Sequence, residues 1–94
     1  MLDIKMNDKK EIFLSGSFDA SQVKKALPVF ESIDDSVTVD LKNLDYISSA
    51  GLSVFVATHQ RLEKLGKAVR LTNMNKHVRN VFQISGLHQV FQIE

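Results

Sequence analysis

Tyr46-Ile47-Ser48-Ser49-Ala50-Gly51-Leu52 decides how the chain is read. An apolar pair runs into two serines, then Ala-Gly, then a stretch with Leu52, Phe55, Val56, His59 and Leu62 at helical spacing. The serines therefore sit at the N-terminus of a helix. The first backbone N–H groups there have no intrahelical partner, and the macrodipole is positive. Such a place suits a serine cap and also a phosphate. On hydroxyl chemistry alone, Ser-Ser-Ala-Gly reads as an ordinary cap.

Working outward, Val37-Thr38-Val39-Asp40-Leu41 alternates as a strand, and Lys42 to Asp45 reads as the loop that delivers the serine turn. Upstream, Leu2, Ile4 and Met6 alternate with polar residues. After the polar turn Asp8-Lys9-Lys10, Glu11 to Ser15 does the same, which predicts a hairpin. Gly16-Ser17-Phe18-Asp19 breaks this pattern. Asp19 with Gln22 reads as a capping box before a helix carrying Val23, Ala26, Leu27, Phe30 and Ile33. Pro28 lies inside it and removes the bond to the Lys24 carbonyl, predicting a kink or short break.

Downstream, the second helix stops at Gly66, and Ala68 to Thr72 is a strand. Asn75 caps a third helix with Val78, Val81 and Phe82. Gly86 stops it, with Leu87 folding back on Phe82, and Val90 to Ile93 is a last strand. The order ββαβαβαβ predicts an α/β fold with a mainly parallel sheet and right-handed crossovers. Strands that alternate, rather than run continuously apolar, place the helices mostly on one face.

Ninety-four residues predict a single domain, 1–94, and the formal charge of +1 gives no global field for nucleic acid or an anionic membrane. Acidic residues concentrate before Tyr46, and after it only Glu63 and Glu94 are acidic. Without cysteine, disulfides and thiol catalysis are excluded. No signal peptide and no long apolar run is visible, so a soluble, cytoplasmic protein without membrane insertion is expected. His59, His77 and His88 fall on different elements. His59 and Glu63, four apart on a helix, lack a third metal ligand. No nucleophile elbow, Walker loop or dinucleotide loop occurs, and basic residues do not interleave with aromatics on a strand. The expectation is a protein that is not an enzyme and takes no metal or cofactor. Ser49 is placed to be modified: its hydroxyl can reach solvent, and a phosphate there would add about −1.5 to −2 charges to a flat patch including Ser53.

Three segments resemble the STAS domain, and within it the anti-sigma factor antagonist family. Leu14-Ser15-Gly16-Ser17-Phe18-Asp19 is similar to the family's strand ending in Gly-x-x-Asp. Val39-Asp40-Leu41 through Tyr46-Ile47-Ser48-Ser49-Ala50-Gly51-Leu52-Ser53-Val54-Phe55 is similar to its signature of an apolar strand followed by Asp/Ser-Ser-x-Gly-Leu. Val78 to Leu87 is similar to its third helix and Ser-Gly-Leu stop. The resemblance implies the STAS fold, a mixed open sheet of about five strands with three helices mainly on one face. It implies partner switching. The unmodified antagonist binds an anti-sigma factor that is also a serine protein kinase, phosphorylation inactivates it, and a PP2C-type phosphatase restores it. Matched position by position, the phosphorylated residue falls on Ser49, the family's Asp on Ser48 and its following Ser/Thr on Ala50. Ser48, which lacks the carboxylate, is the second choice of acceptor. Asp19, Ser48, Ser49, Gly51 and Ser53 are the partner-binding candidates. The alternatives are a STAS accessory subunit of an ABC lipid transporter and a stressosome-like or nucleotide-binding STAS module. The match over Val78 to Leu87 favours the antagonist over the accessory subunit.

Overall fold

The computed structural model describes residues 1–94. Its strands are β1 (Leu2–Met6), β2 (Glu11–Phe18), β3 (Val37–Ile47), β4 (Val69–Thr72) and β5 (Gln92–Ile93), and its helices are α1 (Val23–Glu31), α2 (Ser49–Glu63) and α3 (Lys76–Ile84). Short 3-10 turns at Ala20–Gln22 and Leu87–Gln89 precede α1 and β5. The sheet order is β1-β2-β3-β4-β5, with β1 antiparallel to β2 and all other neighbours parallel. This is the mixed sheet and the ββαβαβαβ order expected from the sequence.

Each parallel crossover advances one strand in the same direction, so right-handed connections bring the helices to one face of the sheet. Ile12, Leu14, Val37, Val39, Val69 and Leu71 are buried. Their strand neighbours Lys5, Phe13, Asp40 and Arg70 are exposed or half-exposed, and the register Lys5↔Phe13↔Asp40 puts the first three on the bare face. Between sheet and helices lies one cluster of 22 buried apolar residues. At its centre Phe55 of α2 meets Phe18, Phe30, Phe82 and Phe91, with ring centroids 5.9, 5.5, 6.2 and 6.5 Å away. These distances suit offset and edge-to-face aromatic packing.

Four expectations are corrected. First, Lys42 to Asp45 is not a loop: β3 continues to Ile47. Two register shifts against β2 each insert an extra β3 residue, between Asp40 and Asn43 and between Leu44 and Tyr46. Burial on β3 accordingly falls on Val37, Val39 and Leu41, then on Leu44 and Ile47, so a spacing of two gives way to a spacing of three. Second, Gly16-Ser17-Phe18 belongs to β2. Gly16 has φ +93°, and a Cβ there would lie 2.1 Å from the Met1 carbonyl oxygen, so only glycine lets the two strands approach. Third, Asp19 caps the Ala20–Gln22 turn by accepting from the Ser21 N–H at 3.0 Å, but the capping box does not close. The Gln22 side chain instead accepts the Leu2 N–H at 3.0 Å, tying the turn to β1. Fourth, α1 runs unbroken through Pro28. Pro28 and Lys24 are both exposed, so the carbonyl that loses its helical donor faces water.

The Arg61 guanidinium of α2 reaches back to the end of α1, donating to the Phe30 and Ile33 carbonyls at 2.7 and 2.5 Å. It supplies both donors and positive charge to a helix C-terminus. Arg61→Met keeps the stem but leaves these carbonyls unmet. A loss of about 1–3 kcal/mol is expected in urea denaturation, with little regained by Arg61→Lys; an unchanged midpoint would refute the role.

Gly51 governs how closely α2 can approach β2. A Cβ there would meet the Phe18 carbonyl oxygen at 2.8 Å and Ile47 Cγ1 at 2.9 Å. Gly51→Ala, normally favourable in a helix, is expected to destabilise by about 1–3 kcal/mol because the helix must move off the strand. Stabilisation in the same denaturation assay would show that the contact is slack.

Candidate functional site

The serine turn lies at the C-terminal end of the parallel strands, where β3 hands over to α2. The two serines have different environments. Ser48 is the N-cap of α2, with extended backbone (φ −92°, ψ 172°). Its Oγ accepts from the Gly51 N–H at 3.2 Å and donates to the Phe18 carbonyl at 3.3 Å, and its N–H donates to that same carbonyl at 2.9 Å. The half-buried Ser48 hydroxyl is thus used as both acceptor and donor. Ser49 is the first residue of α2 and is exposed. Its carbonyl accepts from the exposed Ser53 hydroxyl at 3.0 Å.

Ser49 and Ser53 line the rim of a cleft of about 370 Å³, with Leu52, Val56 and Leu87 as its apolar walls and Ser85 opposite. Sequence reading assigned Leu52 and Val56 to the core stripe. Val56 is only half-buried, so that stripe overruns the core and supplies the cleft. Ser85 and Leu87 were legible as a helix stop but not as neighbours of Ser49. The missing signal was tertiary: α3 and the turn after it pack beside α2.

Asp19 stands at the same end of the molecule, directly after Phe18, and the turn it caps abuts α2. Its carboxylate also accepts from the Ser21 hydroxyl. That hydrogen bond is the main reason its pKa lies below the ordinary carboxylate value, so the group is an anion at neutral pH. Gly51 is buried and offers no surface. It contributes by letting α2 seat against β2. The structure thus brings Asp19, Ser48, Ser49 and Ser53 to one end and places Gly51 beneath them.

The histidines do not converge on this site. His77 stacks on the half-exposed Tyr46 at 6.3 Å. His59 lies edge-on to Phe91 at 5.3 Å, with Nε2 3.6 Å from the Glu63 carboxylate. No group of three metal-ligating side chains is assembled. No helix is long and apolar enough to cross a membrane.

The family model described as "Mlab, STAS domain" matches residues 5–93. Among curated proteins, the anti-sigma-B factor antagonist of Listeria monocytogenes is 31% identical over 91 residues, covering 93% of this chain and 80% of the relative. The anti-sigma-B factor antagonist of Bacillus subtilis is 29% identical over 97 residues, covering 98% of this chain and 88% of the relative. In fold, the chain is similar to the Bacillus cell fate determinant SpoIIAA in its phosphorylated form. The TM-score is 0.71 at 18% identity, covering 100% of this chain and 91% of that one. The family match over nearly the whole length and the 31% identical antagonist agree: the chain belongs to the STAS domain family, among its anti-sigma factor antagonists.

Proposed function

We propose that the protein acts by partner switching in the cytoplasm: unmodified, it binds an anti-sigma factor that is also a serine protein kinase, and phosphorylation of Ser49 ends that binding. A PP2C-type phosphatase would reset the cycle. The observation that carries this reading is the division of labour between the serines. Ser48 is spent on holding α2 to the end of β2, while Ser49 is exposed among the residues that line a half-apolar cleft. The names of the relatives support the class of partner, and SpoIIAA supplies an example of the fold in a phosphorylated state.

The physical logic is local. A phosphate on Ser49 adds about −1.5 to −2 charges beside the first free amides of α2, where the helix end tolerates an anion. The fold is left standing, but an apolar partner group entering the cleft between Leu52, Val56 and Leu87 meets bulk and a charge that it would have to desolvate. Asp19 and Ser53 border the same surface, while Ser48 and Gly51 hold it in shape. The chain supplies a docking surface in this scheme and catalyses nothing itself.

Incubation with the cognate kinase and ATP is expected to add one phosphate, mapped to Ser49 by mass spectrometry and absent from Ser49→Ala. Ser49→Asp should weaken kinase binding about a hundredfold, roughly 3 kcal/mol, while Ser49→Ala binds like the parent. Phosphate on Ser48 alone would sink the choice of acceptor. Equal affinities of the Asp and Ala variants would place the turn outside the interface. Co-purification with the ATPase subunit of a lipid transporter, without phosphate transfer, would favour the accessory-subunit reading.

A further inference from the structure

The geometry points to a second binding site at the opposite end of the sheet, for a small phosphate-bearing molecule held between the β1–β2 turn and the first residues of β3 and β4. A cleft of about 350 Å³ opens there. Its polar lining is Lys9, Lys10, Ser36, Thr38, Arg70 and Gln92, with no carboxylate among the lining residues. The site is assembled from distant segments and is held rigidly. The Thr38 N–H donates to the Lys10 carbonyl at 3.0 Å, fastening the turn to β3, and the Val37 N–H donates to the Ala68 carbonyl at 3.0 Å. The Ala68 N–H donates to Ser36 Oγ at 3.1 Å, which leaves the Ser36 hydroxyl proton free to donate in turn.

What sets these cations apart is that three of them converge on one cleft, since most lysines and arginines of the protein make no salt bridge. Two lysine or arginine salt bridges occur in the protein, Lys67–Asp35 and Arg70–Glu94. Lys67, near this end, pairs with Asp35 at 3.3 Å, and Lys10 lies close enough to help lower the Asp35 pKa, while neither Lys9 nor Lys10 makes a salt bridge. Arg70 gives only its Nε to Glu94, at 3.5 Å, and keeps its terminal guanidinium nitrogens. Three cations with a hydroxyl donor match a tetrahedral dianion better than a single carboxylate. The Val37, Thr38 and Ala68 amides are already taken, so side chains must hold the ligand. Binding is therefore sensitive to ionic strength. Glu94 is the built-in competitor for Arg70.

The test is an NMR titration of the full chain with inorganic phosphate. Saturable shifts are expected at residues 9–10, 36–38, 70 and 92, weakening as sodium chloride is raised. The double variant Lys9→Gln, Lys10→Gln should lose affinity about fivefold or more, and Arg70→Gln likewise. Glu94→Gln should bind phosphate more tightly than the parent, an effect that general surface attraction confined to the lysines would not give. Unchanged amide dispersion in each variant serves as the folding control. Ser49→Ala should bind phosphate unchanged, so this site stands or falls apart from the phosphorylation cycle. Absence of saturable shifts, equal affinity for acetate, or weaker binding by Glu94→Gln would overturn the assignment.

Discussion

The carbonyl of Phe18 is the point on which the rest of the structure turns. It ends β2, accepts both the N–H and the hydroxyl of Ser48, and lies so close to α2 that no side chain fits at position 51. Three segments distant in sequence are thereby locked at one place. Four residues past Gly51, Phe55 enters the aromatic cluster that joins Phe18 to α1 and α3. The polar clamp sets where α2 begins, and the apolar cluster sets how it lies. Neither suffices alone, since a capped helix without a buried face is marginal in water and an uncapped one leaves donors unmet.

This clamp sets the two adjacent serines apart. Ser48 points back into the fold and completes it, while Ser49 begins the helix and faces out. An Asp at the cap position would offer a stronger acceptor to the Gly51 amide but no proton for the Phe18 carbonyl. Ser48 supplies both with one hydroxyl, which accounts physically for its place at this junction.

Much of the fold was legible because its signals are local: alternating strands, helical stripes, Asn75 and Ser48 as caps, and Gly66 and Gly86 in the left-handed conformation where helices stop. What escaped was set by contacts between distant segments. The two extra residues in β3 shift its burial from every second to every third residue, and that rhythm reads as a loop in one dimension. Gln22 has the spacing of a capping box, but the unpaired edge of β1 offers its side chain a better partner in the Leu2 amide. Pro28 looked disruptive because its neighbour's exposure could not be known. That Ser49 stands at the start of α2 was readable. The cleft beside it was not, because Leu87 reaches α2 only after α3 has folded against the sheet.

The charge split noticed along the chain takes on meaning once the strand polarity is known. In a parallel sheet with its helices on one side, the start of each helix lies at the strands' C-terminal end and its finish at the other. The first end carries the free amides of the helix starts, and Asp19 sits there. The second end gathers helix carbonyls, and cations gather with them. Arg61 binds the end of α1, and Lys67 pairs with Asp35 just beyond it. Those two are accounted for by structure. Lys9 and Lys10 lie on the β1–β2 turn, make no salt bridge and have no helix end to neutralise, although Lys10 is within electrostatic reach of Asp35, so macrodipole compensation does not explain them. They stand with Arg70 in a concave cleft whose lining includes no carboxylate, with Glu11, Asp35 and Glu94 as the neighbouring acids.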